Sequence, residues 1–203
     1  MTENTRKNAV TDHQVHELIT GRWSPYSFES REVERGKLLS CLEAARWAAS
    51  SFNEQPWSFL VAYREDDEGF KTMLDCLLPA NQEWAKHAGV LLLTVISKTF
   101  SRNDKPNRVA EHDLGLAVGN FTLQATALGL SVHQMAGVDL EKVRQAYNIP
   151  TTHDPITAIA LGYATDPDRA NNEAMAQRDR APRSRKSLDQ FVFSGQWEKP
   201  ATL

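Results

Sequence analysis

Polar side chains able to hold a ligand are concentrated between residues 48 and 59, where a predicted helix runs into a predicted strand. These side chains belong to Ser50, Ser51, Asn53 and Gln55, and Pro56 follows them directly. Hydroxyl, amide and proline residues at such a junction either form a helix cap and a turn or bind a polar ligand. The residues of this stretch alone leave both interpretations open.

Arginines at two other places could bind an anion. Arg22, Trp23 and Ser24 lie in a predicted loop, because the proline that follows them excludes a helix interior. Arg183 and Arg185 belong to a cationic group near the end of the sequence. Each set could be a solvated surface or a phosphate site. A guanidinium suits a phosphate because it presents a rigid fork of donors and keeps its charge.

A third candidate is the loop of Met135, Ala136 and Gly137, which lies between a short predicted strand and a predicted helix. A glycine loop in this position exposes backbone N–H groups that can face a ligand, and it can equally be an ordinary turn. His112 and His133 could contact a substrate or have a purely structural role.

Apolar periodicity and turn residues predict the elements that must position these groups. Helices are predicted at 12–21, with Asp12 as cap, and at 34–49, 70–78, 81–87, 111–128 and 140–147, and strands at 58–63, 90–96, 131–133 and 155–163. The strand at 90–96 is apolar throughout and should be covered on both faces. Residues 98–109 are predicted to form a mobile surface loop that could act as a lid, and residues 164–182 an exposed linker.

Chain length, net charge, hydropathy and cysteine content limit the class of protein. The 203 residues suit one well-cored domain, spanning 1–203, and are too few for two. A net charge of −3 gives no cationic surface for nucleic acid or for an anionic membrane, so small-molecule partners are expected. The longest apolar run, at 89–96, is far shorter than the ~20 residues of a membrane span, and nothing directs the chain out of the cytoplasm. Cys41 and Cys76 lack metal-type spacing, so they are predicted to be buried free thiols, and no metal is expected.

Four segments, taken in chain order, resemble the FMN-dependent nitroreductase family. They are Arg22-Trp23-Ser24, the run from Ser50 to Trp57, Gly129-Leu130 followed by Ala136-Gly137, and Arg183-Ser184-Arg185. The resemblance covers most of the chain, and the ordered set carries it. It implies an α+β fold, an α-β-α sandwich with a mixed, largely antiparallel sheet. It also implies an intertwined homodimer with FMN at the subunit interface, to which both subunits contribute.

The resemblance also implies roles for individual residues. Arg22, Arg183 and Arg185 would surround the FMN phosphate, with Ser24 near the ring or the ribityl chain. Ser50, Ser51 and Asn53 would reach the partner's flavin, Asn81 would contact the ribityl chain or ring edge, and the N–H groups of Ala136 and Gly137 would lie near flavin N5. Trp23, Gln55 and Met135 complete the predicted cofactor-binding set. The apolar tail at 183–203, with Phe191, Phe193 and Trp197, is predicted to pack on the partner subunit.

The activity that this resemblance implies is ping-pong hydride transfer from NAD(P)H, through FMN, to a nitroaromatic, quinone or enone acceptor, with no catalytic side chain beyond the flavin. Tyr26 and Trp84 stand where better-known members have cations facing the pyrimidine end of the flavin, so reduction would be harder unless another donor substitutes. Alternatives are a flavin carrier or sensor without efficient turnover, a flavin-fragmenting or dehalogenating relative, and a dimeric interaction module without a cofactor.

Overall fold

A computed structural model describes residues 7–169 and 172–202. Seven helices lie in these ranges: α1 Glu17–Gly21, α2 Arg35–Arg46, α3 Asp67–Asp75, α4 Pro79–Ala85, α5 Ala110–Ala127, α6 Leu140–Ala146 and α7 Glu173–Arg180. The strands there are β1 Trp57–Tyr63, β2 Val90–Ser97, β3 Ser131–Met135 and β4 His153–Gly162. Short 3-10 turns occur at Ser51–Asn53, Pro167–Arg169 and Leu188–Gln190.

The four strands form one sheet in the order β1-β2-β4-β3, and every pairing among them is antiparallel. β2 lies inside the sheet, and seven of its eight residues are buried. The prediction that this apolar strand is covered on both faces is therefore confirmed. Its pairing with β4 shifts by one residue between Thr94 and Val95.

Helices cover both faces of the sheet. On one face, α2 and α5 bury a core that includes Leu38, Phe121 and Leu92. On the other face, α3, α4 and α6 enclose a second core. The predicted α+β sandwich is thus confirmed, and the ladders of the described sheet are antiparallel throughout. Cys41 and Cys76 are buried free thiols, as predicted, and burial raises the pKa of Cys41 to about 11.

The bounds of two predicted helices are wrong. α1 does not begin after Asp12: it begins at Glu17, where His16 Nδ1 accepts a hydrogen bond from Leu18 N at 3.2 Å. The apolar positions that suggest an earlier start, such as Val15, remain exposed, so no burial supports a longer helix. Pro79 also begins α4 rather than ending the helix before it, because its missing N–H has no helical partner at that position.

The region predicted as an exposed linker, 164–182, contains α7. Asn172 caps this helix by accepting a hydrogen bond from Met175 N, and Met175, Ala176 and Asp179 are buried. Its buried face has few apolar residues among many charged ones, so it produces no helical periodicity. None of the helices in the described ranges is both long and apolar enough to cross a membrane.

A chain of hydrogen bonds joins the start of α2 to the end of β4. Lys37 Nζ donates to the Tyr163 hydroxyl, which in turn donates to Glu34 Oε2, both at 2.6 Å. The Tyr163 hydrogen bond is the largest cause that lowers the pKa of the Glu34 carboxyl, to about 2.

Because this pKa lies below its ordinary value of 4.5, Glu34 contributes stability that is complete above about pH 4.5 and is lost as the pH falls toward 2. We therefore expect Glu34→Gln to reduce the loss of unfolding free energy between about pH 5 and about pH 2.5, as measured by urea denaturation at each pH. Tyr163→Phe should have a similar effect, since it removes the main cause. This role is contradicted if the free energy of unfolding of both variants falls as steeply with decreasing pH as that of wild type.

Candidate functional site

Three arginines from distant parts of the chain form a cationic cluster. Arg22 follows α1, whereas Arg183 and Arg185 follow α7. Burial, and then the charges of Arg183 and Arg185, lower the pKa of Arg22, and burial and Arg185 lower that of Arg183. None of the three forms an ion pair with a carboxylate of residues 7–169 or 172–202. An anion placed among them would relieve this repulsion.

Hydrogen bonds within the cluster distinguish its members. Arg22 Nη1 donates to Ser24 Oγ at 3.3 Å, so this predicted pair does lie together. Arg183 Nη1 donates to the carbonyls of Lys7 at 2.7 Å and Thr20 at 2.6 Å, which ties the C-terminal segment to α1. Arg185 is exposed, and its one hydrogen bond within the described ranges goes to its neighbour, Ser184 O, at 2.7 Å. Arg183 is therefore structural as well as cationic, while Arg22 and Arg185 keep most of their donors for a ligand.

Lys7 extends the positive region. Its ammonium donates to Ala181 O at 2.5 Å and lies 5.1 Å from the centroid of the Trp23 ring. Burial lowers its pKa most, the charge of Asp179 raises it, and Arg183 lowers it further. Trp23 thus packs beside the arginine cluster, with the Lys7 ammonium over its ring. Sequence analysis missed Lys7, because a single lysine in a polar segment gives no pattern.

Asp179 holds the loop that contains Arg22. Its carboxylate is buried, at 1% exposure, and accepts hydrogen bonds from Tyr26 N at 2.9 Å and Ser27 N at 3.0 Å. Backbone N–H groups bonded to a buried carboxylate are held in a defined position, since a buried charge without partners is costly. α7 therefore positions the 22–27 loop, although its sequence suggests a linker.

Aromatic rings fill the space beside this loop. The rings of Tyr26 and Trp84 meet edge to face at 5.2 Å, and the His133 ring lies 4.6 Å from Tyr26 and 4.4 Å from Trp84. His133 Nδ1 donates to Pro25 O at 2.8 Å, and burial lowers its pKa, so the ring is neutral near pH 7. The Arg178 guanidinium lies 5.1 Å from the Tyr26 ring centroid. A cation therefore stands beside Tyr26, although neither Tyr26 nor Trp84 carries one.

The side-chain amide of Asn81 contacts the glycine loop of residues 135–137. Asn81 Nδ2 donates to Gly137 O at 3.0 Å, and Leu78 N donates to the same carbonyl at 3.0 Å. A Cβ at Gly137 would lie 2.5 Å from Asn81 Nδ2, so the contact requires glycine. Ala136 is exposed beside it, whereas the Met135 side chain is buried in the core and leaves only its backbone for a ligand.

The serine loop at 50–55 forms a separate, internally braced unit. Ser50 Oγ accepts from Gln55 N at 3.0 Å, Gln55 Nε2 donates to Asn53 O at 3.1 Å, and Ser51 N donates to the buried carboxylate of Asp113 at 3.0 Å. No hydrogen bond or ion pair within the described ranges joins this loop to the arginine cluster. Within the described ranges, the predicted ligand-binding residues of this chain therefore do not form one hydrogen-bonded group.

Comparison with known proteins identifies the family. The sequence profile described as "Nitroreductase family" matches residues 19–88 and 73–163. The chain belongs to the nitroreductase family. A solved structure described as an oxidoreductase containing FMN is 30% identical and superposes with a TM-score of 0.87, over 97% of this chain and 98% of that one.

Two curated relatives also match. One, from Mycolicibacterium smegmatis, is named "Uncharacterized 15.4 kDa protein in ask 5'region" and is 35% identical over 66% of this chain and 88% of its own length. The other, from Methanothermobacter thermautotrophicus, is named provisionally as an NADH dehydrogenase/NAD(P)H nitroreductase and is 27% identical over 81% of this chain and 89% of its own length.

Membership of the nitroreductase family confirms the resemblance on which the sequence analysis relied. The motif residues Arg22 and Ser24 lie together, as do Asn81 and Gly137. Three residues with a direct part in shaping the arginine region were not predicted: Lys7, Arg178 and Asp179. Each acts through a tertiary contact and stands outside any motif, so no signal in the sequence identified it.

Proposed function

We propose that this chain is an FMN-dependent oxidoreductase that takes hydride from NAD(P)H and reduces a nitroaromatic, quinone or enone acceptor. The observation that carries the proposal is the cluster of Arg22, Arg183 and Arg185, which has no carboxylate partner among the described residues and fits a phosphate dianion. The FMN content described for the 30% identical structure supports it.

The residues present fit FMN beyond its phosphate. Ser24, beside Arg22, offers a hydroxyl to the ribityl chain or the ring. Asn81 is oriented by Gly137 O, and the adjacent N–H groups of Ala136 and Gly137 would face flavin N5. When bound, FMN supplies the hydride chemistry, and the protein supplies binding, orientation and electrostatics. Conversion of a nitro group to a nitroso group consumes one hydride from NAD(P)H and one proton from solvent and releases water.

We further propose a homodimer in which each serine loop completes the partner's site. No described hydrogen bond or ion pair joins Ser50, Ser51, Asn53 or Gln55 to the arginine cluster of the same chain, and this proposal assigns them to the partner's site. Leu39 on α2 is 64% exposed, Trp47 just after α2 is 75% exposed, and Leu116 on α5 is 42% exposed. A Cβ built at Gly115 or Gly119 on α5 would meet nothing within 4 Å. Such a face is typical of a subunit interface.

The C-terminal segment at 183–203 belongs to the same proposal, within one nitroreductase-like domain spanning 1–203. Phe191 is 56% exposed and Trp197 is 80% exposed, and the chain folds back on itself through the bridge between Phe193 and Pro200. A partner subunit would cover these rings.

One observation favours a second candidate, a flavin carrier or sensor without efficient turnover. Tyr26, Trp84 and His133 form a neutral aromatic block, and reduced flavin gains negative charge that a neutral block does not stabilise. Arg178, beside Tyr26, opposes this candidate because it can supply the missing cation.

Anaerobic visible absorbance of the purified protein during addition of NADPH and then NADH tests the proposal. A flavin spectrum that bleaches within seconds is expected for the enzyme. A flavin that stays oxidised with both donors would favour the carrier or sensor. A colourless protein that takes up no added FMN would overturn both candidates.

A further inference from the structure

Phe52 is held exposed by an unusual backbone. Phe52, Asn53 and Gln55 adopt positive φ angles of 56°, 57° and 51°, a left-handed conformation that non-glycine residues rarely take. Such residues persist only where the surroundings impose them, and they cluster at functional sites. The result here is an aromatic ring that is 69% exposed.

The Arg102 guanidinium lies over that ring. Its guanidinium carbon is 3.6 Å from the Phe52 centroid and 5.6 Å from that of Phe100, and the two rings meet edge to face at 5.8 Å. A guanidinium that stacks through its face keeps its N–H donors free in its plane. No hydrogen bond or ion pair within residues 7–169 and 172–202 occupies those donors.

A second stacked arginine shows the contrast. Arg31 lies 3.7 Å from the Tyr163 ring centroid, but its Nη2 pairs with Glu34 at 3.3 Å. Arg31 is therefore neutralised, whereas Arg102 remains an available cation. Glu54 accepts a hydrogen bond from Ser101 N at 2.7 Å, so its carboxylate braces the loop next to Arg102 rather than the guanidinium.

We propose that Phe52, Phe100 and Arg102 form an acceptor subsite that selects aromatic acceptors bearing a carboxylate or a similar anionic substituent. An aromatic acceptor packs against the part of the Phe52 ring that Arg102 leaves open, and its carboxylate takes the free in-plane donors of Arg102. This inference rests on the proposed function, because the serine loop that carries Phe52 is there assigned to the partner's flavin.

The test compares two acceptors that differ in charge and by one methyl group, 4-nitrobenzoate and methyl 4-nitrobenzoate, with wild type, Arg102→Gln and Lys105→Gln. Lys105 is an exposed cation of the same loop, has no ring contact with any residue that the structure describes, and serves as the matched control. Arg102→Gln should lower kcat/KM for 4-nitrobenzoate roughly tenfold and change that for the ester less than about twofold, while Lys105→Gln changes neither. Calorimetric titration of the FMN-loaded proteins with benzoate and benzamide gives a readout without turnover, and Arg102→Gln should abolish the preference for benzoate.

An equal charge preference in wild type and Arg102→Gln, by rates and by calorimetry, overturns the subsite, as does an equal loss in Lys105→Gln. Failure of wild type to reduce the neutral ester counts instead against the proposed function. Benzoate binding then still decides whether Arg102 selects the anion.

Discussion

Arg22→Ala is expected to lower the affinity for FMN by about ten- to a hundredfold. Removal of the guanidinium takes away charge-assisted hydrogen bonds to phosphate worth ~1.5 to 3 kcal/mol, and every ~1.4 kcal/mol is tenfold in affinity. Removal of the Arg22 side chain should disturb the fold little, because its one described hydrogen bond is to Ser24 Oγ. Fluorescence titration of the apoprotein with FMN measures the change.

Two further variants show whether FMN affinity depends on the position of the arginine or only on its positive charge. Arg185→Ala should weaken FMN binding in the same direction but less, since Arg185 is exposed and solvent screens its charge. Arg108→Ala removes an exposed arginine from the 98–109 loop and should leave the affinity unchanged. If Arg22→Ala binds FMN as tightly as Arg108→Ala does, Arg22 is not part of the phosphate site.

Asp179→Ala is expected to lower the free energy of unfolding by about 2 to 4 kcal/mol. The substitution leaves Tyr26 N and Ser27 N without their acceptor, and hydrogen bonds to a buried charged group are worth more than neutral ones. Urea denaturation of the apoprotein measures this loss. FMN affinity should fall as well, because Asp179 positions the loop that carries Arg22.

The control is Glu173→Ala on the same helix, which removes an exposed carboxylate that pairs with Arg180 at 2.9 Å. A surface pair contributes about 1 kcal/mol or less, so its denaturation midpoint should stay near that of wild type. Asp179→Asn keeps one acceptor oxygen and should be intermediate, which retains a test if the alanine variant does not fold. Equal midpoints for Asp179→Ala and Glu173→Ala would show that the buried carboxylate does not hold the loop.

Local patterns in the sequence are enough to predict most of the fold. The periodicity of α5 and the apolar run of β2 record burial directly, so the predicted and observed bounds of both elements agree within one or two residues. The ordered motifs likewise indicate the family. One of them contains Arg22 and Ser24, which a hydrogen bond joins, whereas the hydrogen bond between Asn81 and Gly137 was not predicted.

Only the tertiary structure decided how the cationic cluster is built. The sequence predicts a linker in place of α7 because the buried face of this helix includes the carboxylate of Asp179, and a buried charge resembles an exposed one in sequence. Lys7 and Arg178 enter the site through contacts with distant residues, Ala181 O and the Tyr26 ring, that no periodicity records. The sequence thus determined most of the elements and the family, because apolar burial repeats along the chain. The tertiary structure determined the environment of the charges, because each polar contact depends on a pair of residues that only folding brings together.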